Sequence, residues 1–105
     1  MITAKVLKDR NGICRGFEVQ GHALFDDKGK DIVCSAVSIL TINTVNSLEQ
    51  FTDAKFTCDT DDGIAVRFEQ EPDEKASLLL DSYLLGLQGI SGEYPRYFRL
   101  LIEEV

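Results

Sequence analysis

Apolar side chains recur at every second position over residues 1–8 and again over residues 14–22. This is the period of a β-strand. Between the two segments, Asn11 and Gly12 favour a tight hairpin turn. The pattern therefore predicts two antiparallel strands at the start of the chain. Gly16 and Gly21 mark places where the alternation is expected to fail, because glycine within a strand often accompanies a bulge.

Two later segments have the spacing of helices. In the first, Asp31 is placed to accept a backbone N–H as an N-cap, and the helix is expected to end near Gln50. Its apolar stripe predicts the buried positions Ile32, Val33, Ala36, Val37, Ile39, Leu40 and Leu48.

A second helix is expected to open within residues 71–74 and to stop at Gly89 and Gly92. Its predicted buried side consists of Leu78, Leu79, Leu80, Tyr83, Leu84 and Leu87.

Three further strands are predicted at residues 54–58, 64–68 and 97–103. The order is then β-β-α-β-β-α-β over one domain, residues 1–105. Helices on one face of a mainly antiparallel sheet form a two-layer α/β sandwich of the α+β class.

The formal charge of −7 narrows the range of partners. Direct binding of nucleic acid needs a basic face, which this composition opposes. An acidic chain can attract a basic protein. With one histidine, no paired Cys-x-x-Cys and dispersed carboxylates, the sequence predicts neither a metal site nor a cofactor.

The sequence also bears on location. Its longest apolar pattern, residues 32–48, is interrupted by seven polar residues, so no membrane span is expected. The first residues lack the pattern of a signal peptide. Three cysteines are an odd number, and we expect reduced thiols in the cytoplasm.

Candidate chemistry centres on His22 and Cys34. With Asp31 as cap, Cys34 falls at the third helical position, where unpaired N–H groups and the helix dipole would stabilise a thiolate. Histidine is the usual base for such a nucleophile. The alternative is that Cys34 is a small core residue and His22 a half-exposed strand end.

Neighbouring residues have two interpretations each. Asp31 either caps the helix or orients the imidazole, and capping is favoured, so a dyad is expected rather than a triad. Ser38 lies one turn after Cys34 and either supports the thiolate or bonds back to a carbonyl. Amides at the helix start, including that of Cys34, are candidate oxyanion donors. Cys14 and Cys58 are assigned to packing.

The segments GHA at residues 21–23 and DIVCSAVS at residues 31–38 closely resemble the ribosomal-processing cysteine proteases of the Prp family. The length of the chain and the order of its elements also agree with this family, and residues 94–95 show a weaker likeness to it. The resemblance implies that His22 is the general base and Cys34 the nucleophile. Gly21, Asp31 and Ser38 carry over as supporting positions.

The resemblance further implies a bacterial endopeptidase. Its substrate would be large-subunit ribosomal protein twenty-seven, from which it removes an apolar N-terminal extension. It also implies a homodimer, and a loop over residues 24–30 that orders over the substrate. Two other hypotheses stay open: a noncatalytic ribosome-assembly protein that binds the same partner, and a redox sensor in which Cys34 is oxidised.

Overall fold

A computed structural model describes the backbone of residues 1–21 and 28–105, and the side chains of residues 1–21 and 32–105. The predicted element order is confirmed. The elements are β1 (Ile2–Lys8), β2 (Cys14–Gln20), α1 (Lys28–Phe51), β3 (Phe56–Asp59), β4 (Ile64–Phe68), α2 (Glu74–Glu93) and β5 (Phe98–Glu104).

The strands form a five-stranded sheet in the order β3-β4-β2-β1-β5. All neighbours are antiparallel except β1 and β5, which run parallel. Because β5 lies beside β1, the chain must cross the sheet after β4, and α2 makes that crossing. The prediction of a mainly antiparallel sheet is confirmed.

The β1–β2 hairpin is held by the side chain of Asp9. Its Oδ1 accepts the N–H groups of Asn11 at 2.8 Å and Ile13 at 3.1 Å. Leu7 lies opposite Gly16, whereas Lys8 lies opposite Cys14, so the strand pairing is irregular next to Gly16. The predicted break in alternation at this glycine is therefore confirmed.

The core lies between the two helices and one face of the sheet. The helix face of the sheet contributes the buried residues Ile2, Ala4, Phe17, Val19, Val66 and Phe98, and the helices contribute Val33, Val37, Leu48, Ala76, Leu80, Tyr83 and Leu87. The opposite face carries exposed ion pairs, such as Arg67 with Glu18 at 2.7 Å. This is the predicted two-layer arrangement.

The start of α1 differs from the prediction. The helix begins at Lys28, three residues before Asp31. Asp31 is therefore a helical residue and not the N-cap, and residues 28–30 are helical rather than part of a loop. The remainder of the predicted loop lies outside the described residues.

Some predicted core positions are wrong. Ile32, Ile39 and Leu78 are more than half exposed, because they lie on the outer sides of their helices. Gly89 and Gly92 do not end α2, which continues to Glu93. A Cβ atom at either glycine would meet no atom within 4 Å, so no close packing requires glycine there.

The polar residues within residues 32–48 do not prevent this part of the chain from having the length and mean hydropathy of a membrane span. Among the described residues, one helical segment, Ile32–Phe51, meets those two criteria. The core helix of a soluble protein meets them as well. In this fold Val33, Val37 and Leu48 of that segment pack in the core.

Gly21 and Gly89 form a matched pair for a stability test. Gly21 has a φ of +87°, and an added Cβ would lie 2.2 Å from the carbonyl oxygen of Met1. Gly21→Ala should lower the free energy of unfolding by about 1–3 kcal/mol. Gly89→Ala should raise it by about 0.5–1 kcal/mol, because alanine loses less backbone entropy in a helix. Urea denaturation measures both, and equal effects at the two positions would contradict this structure.

Candidate active site

Cys34 is the seventh residue of α1. Its side chain is half-buried and packs against the edge of the hydrophobic core. The thiol is thus neither sealed in the interior nor on a fully open surface. A half-buried position is compatible with contact to a substrate.

The predicted placement of Cys34 at the third helical position is wrong, because α1 begins earlier. Only the first four N–H groups of a helix lack a partner within the helix. The seventh residue is beyond them, and the field of the helix start falls off within its first turn. The Cys34 amide is therefore not an unpaired oxyanion donor in this conformation.

The structure places two of the supporting residues. Gly21 follows β2, and its positive φ and close approach to Met1 explain why glycine stands immediately before His22. Ser38 is half-buried one turn after Cys34 on α1. His22 and the side chain of Asp31 lie outside the described residues, so the predicted dyad stays a prediction.

A buried hydrogen bond fixes the helix that carries Cys34. The hydroxyl groups of Thr41 and Tyr83 are 2.8 Å apart, and both side chains are at most 2% exposed. The Tyr83 ring contacts that of Phe17, with centroids 4.8 Å apart. Thr41 lies one heptad after Cys34, which places the two about 20° apart around the helix.

The sequence predicted that Tyr83 is buried, but not its bond to Thr41. Thr41 and Thr44 are the buried polar residues of the described core. Thr44 satisfies its hydroxyl within α1 by donating to the carbonyl oxygen of Leu40. Threonine has poor helix propensity, and burial of this face is what holds the second half of α1.

The other two cysteines have different surroundings from Cys34. Burial raises the pKa of the Cys14 thiol, and the carboxylate of Asp81 adds to this effect. Burial also raises the pKa of Cys58, although this side chain is exposed. The assignment of Cys14 to packing agrees with its half-buried position, whereas Cys58 is not a packing residue. None of these three cysteines, all within the described residues, forms a disulfide.

Within residues 1–21 and 32–105, no three His, Cys, Asp or Glu side chains are grouped so as to hold a metal ion.

Comparison with known proteins identifies the family. The family model described as "Cysteine protease Prp" matches residues 1–99. The chain belongs to the Prp family of cysteine proteases. The ribosomal processing cysteine protease Prp of Staphylococcus aureus strain Mu50 is 29% identical over 103 residues, covering 95% of this chain and 97% of the relative.

Two Prp crystal structures from S. aureus share the fold. One, in complex with a substrate peptide, has a TM-score of 0.89 at 27% identity and covers 98% of this chain and all of the other. The second, with a covalently linked product peptide, has a TM-score of 0.86 at 28% identity, with the same coverage. The chain is therefore a ribosomal-processing cysteine protease by family.

The buried Tyr83 predicts a loss of stability at high pH. Burial raises the pKa of Tyr83 to about 12 from an ordinary value of 10. Below pH 10 both folded and unfolded chains keep this proton. Between pH 10 and 12 the unfolded chain loses it first, so the free energy of unfolding should fall, by about 1 kcal/mol at pH 11.

Urea denaturation of wild type and Tyr83→Phe at pH 9 and pH 11 measures this effect. The variant lacks the titrating group and serves as the control for other groups that titrate in this range. The stability difference between the two proteins should shrink as pH rises. A difference that is constant with pH would contradict the burial of the Tyr83 hydroxyl.

Proposed function

We propose that this protein is an endopeptidase that removes the N-terminal extension of large-subunit ribosomal protein twenty-seven, with Cys34 as nucleophile and His22 as base. The observation that carries the proposal is the shared fold with a Prp structure that holds a covalently linked product peptide. A covalent product requires a nucleophile on the enzyme. Cys34 supplies a partly accessible thiol within the matched motif.

The reaction proceeds by acyl transfer. The imidazole of His22 takes the proton of the Cys34 thiol, and the sulfur forms a bond to the scissile carbonyl carbon. The C–N bond then breaks, and the leaving amine takes the proton from the imidazolium. A water molecule gives a proton to the imidazole and attacks the thioester. Cleavage of the C–S bond releases the extension, and the imidazolium returns its proton to the sulfur, which restores the thiol.

The supporting residues have distinct tasks. Gly21 directs the chain from β2 into His22, because no other residue fits beside the Met1 carbonyl without strain. Ser38 lies one turn from Cys34, close enough along the helix to act on the sulfur. Since Cys34 lies beyond the first turn, the pairing with His22 carries the activation of the thiol. Because Asp31 is not the N-cap, its proposed role is the alternative one, to orient the imidazole of His22.

The proposed substrate fits the charge of the chain. Ribosomal proteins bind RNA and are rich in lysine and arginine. A net charge of −7 favours their approach over that of RNA itself. The proposed compartment is the cytoplasm, where ribosomal proteins are made and a catalytic thiol stays reduced.

The decisive assay is cleavage of the extended ribosomal protein by purified variants. Cys34→Ala should reduce kcat by more than about a thousandfold, because it removes the nucleophile. His22→Ala should do the same, because it removes the base. Cys58→Ala is the matched control, since it removes an exposed thiol from β3 and should retain wild-type activity. Undiminished cleavage by Cys34→Ala would exclude the mechanism.

The same assay separates the rival functions. A noncatalytic assembly protein would bind the extended protein and yield no product from the wild type. A redox sensor would show oxidation of Cys34 under mild peroxide together with intact substrate.

We further propose that the protein is a homodimer. Its support is the apolar outer surface of α1, where Ile32, Ile39 and Ile42 are each at least 51% exposed. On α2, Leu78 and Leu85 are both 70% exposed and lie two turns apart. Exposed apolar residues at such spacing are typical of a helix surface that packs against a partner.

Replacement of Ile39 by lysine tests the dimer. A charge at a buried interface is costly, so Ile39→Lys should shift the protein toward monomer. Light scattering after size-exclusion chromatography measures the mass. Asn43→Lys places the same charge one turn along the exposed side of α1 and reports how far the interface extends. A wild-type monomer at all concentrations would exclude the proposal.

A further inference from the structure

A cavity lies between α2 and the β1–β2 hairpin. Its volume is about 270 Å³, and it is lined by apolar side chains that include Val6, Phe17 and Leu80, together with the thiol of Cys14. Neither Cys34 nor Ser38 lines it. The cavity is therefore distinct from the candidate active site.

Two further concave regions lie along the segment before α2. Glu71 and Pro72 line both the cavity and a second concave region. That region shares Asp53 and Asp73 with a third, which reaches the end of α1. We call these three neighbouring regions, from Cys14 past Glu71 to Asp53, the acidic groove.

The charges of the acidic groove are unbalanced. It is lined by five carboxylates, those of Asp53, Glu71, Asp73, Glu74 and Asp81, against the three ammonium groups of Lys8, Lys55 and Lys75. Asp73 accepts the Ala76 N–H at 2.8 Å and so caps α2.

Glu71 and Asp81 are the carboxylates nearest the apolar cavity, and both are exposed. Ion pairs among the described side chains join other residues, namely Lys5–Glu103, Arg15–Asp9 and Arg67–Glu18. Lys8 lowers the pKa of the Cys14 thiol and Asp81 raises it. One positive and one negative group therefore flank the cavity. The carboxylates of Glu71 and Asp81 are therefore available to a cationic ligand.

We propose that the acidic groove binds a basic polypeptide segment that carries one apolar residue. The cavity is large enough to hold an apolar side chain, and the carboxylates near it complement lysine or arginine. Because the concave regions follow one another past Pro72, they fit an extended chain better than a compact molecule. The net charge of −7 attracts the same ligand from a distance.

The identity of that segment rests on the proposed function. If the protein cleaves a ribosomal protein, the segment belongs to the body of that substrate, outside the residues next to Cys34. The acidic groove would then discriminate the intact protein from a short peptide. Contacts remote from the cleaved bond lower KM or raise kcat/KM through binding energy.

Two synthetic substrates test the proposal. Both contain the same residues around the cleaved bond, and one continues into a segment with six lysine or arginine residues and one phenylalanine. The measured quantity is the ratio of kcat/KM for the long substrate to that for the short one. In wild type this ratio should exceed one, and it should fall toward one as salt is raised from about 50 mM to 500 mM.

A matched pair of variants separates local from overall charge. The double variant Glu71→Lys/Asp81→Lys reverses two charges in the acidic groove. The double variant Asp61→Lys/Asp62→Lys reverses the charges of two exposed residues in the β3–β4 turn. In each double variant two carboxylates are replaced by two ammonium groups, so the net charge changes from −7 to −3. The first should lower the ratio about fivefold or more, and the second should leave it close to wild type. Equal ratios for both variants would overturn the proposal.

A binding measurement keeps this result independent of catalysis. Fluorescence anisotropy of the labelled basic segment alone, with Cys34→Ala protein, should show binding that Glu71→Lys/Asp81→Lys weakens. Replacing the phenylalanine of the peptide by serine should also weaken it. If the wild type cleaves neither substrate but binds the segment, the proposed function fails and the acidic groove stands. If cleavage is normal and no binding is seen, only the groove fails.

Discussion

The burial of one face of α1 against the sheet and α2 is the constraint on which the rest of the structure depends. The helix contributes Val33, Val37 and Leu48 to the core, all at most 1% exposed. The Thr41–Tyr83 bond fixes its rotation by a directional contact that apolar packing alone does not supply. Because Cys34 lies on this helix, the same contacts determine how much of its thiol is exposed.

The early start of α1 removes one proposed source of activation for the Cys34 thiol. A cysteine in the first turn would gain from unpaired amides, whereas the seventh residue of a helix does not. The proposed activation of the thiol therefore rests on a base, for which His22 is the candidate. Gly21, held against the Met1 carbonyl at the end of β2, determines where the chain leaves the sheet toward His22.

Charge and apolar surface are distributed unevenly over the molecule. The outer side of α1 exposes isoleucines, while carboxylates gather between the end of α1 and the start of α2. This separation allows two kinds of contact without competition. The proposed homodimer would use the apolar helix surface, and the proposed basic segment would use the acidic groove.

Local patterns in the sequence were sufficient to predict the order of the elements and the class of the fold. The alternation in β4 predicted residues 64–68, which are the observed strand Ile64–Phe68. The motifs at residues 21–23 and 31–38 were sufficient for the family, because a cysteine protease needs a thiol and a base in a specific local context. Strand alternation and motif chemistry are encoded over a few neighbouring residues, so no distant contact is needed to recognise them.

Only the tertiary structure decided which apolar residues are buried and where α1 begins. Ile39 and Leu78 fit a helical stripe as well as Val37 and Leu80 do, but the direction in which each helix faces the sheet leaves the first pair in solvent. The carboxylate of Asp31 could cap a helix, yet α1 begins three residues before it, at Lys28. The Thr41–Tyr83 bond spans 42 positions, and the acidic groove joins residues from four parts of the chain. Such features arise from contacts between distant segments, which the local pattern of a single sequence does not contain.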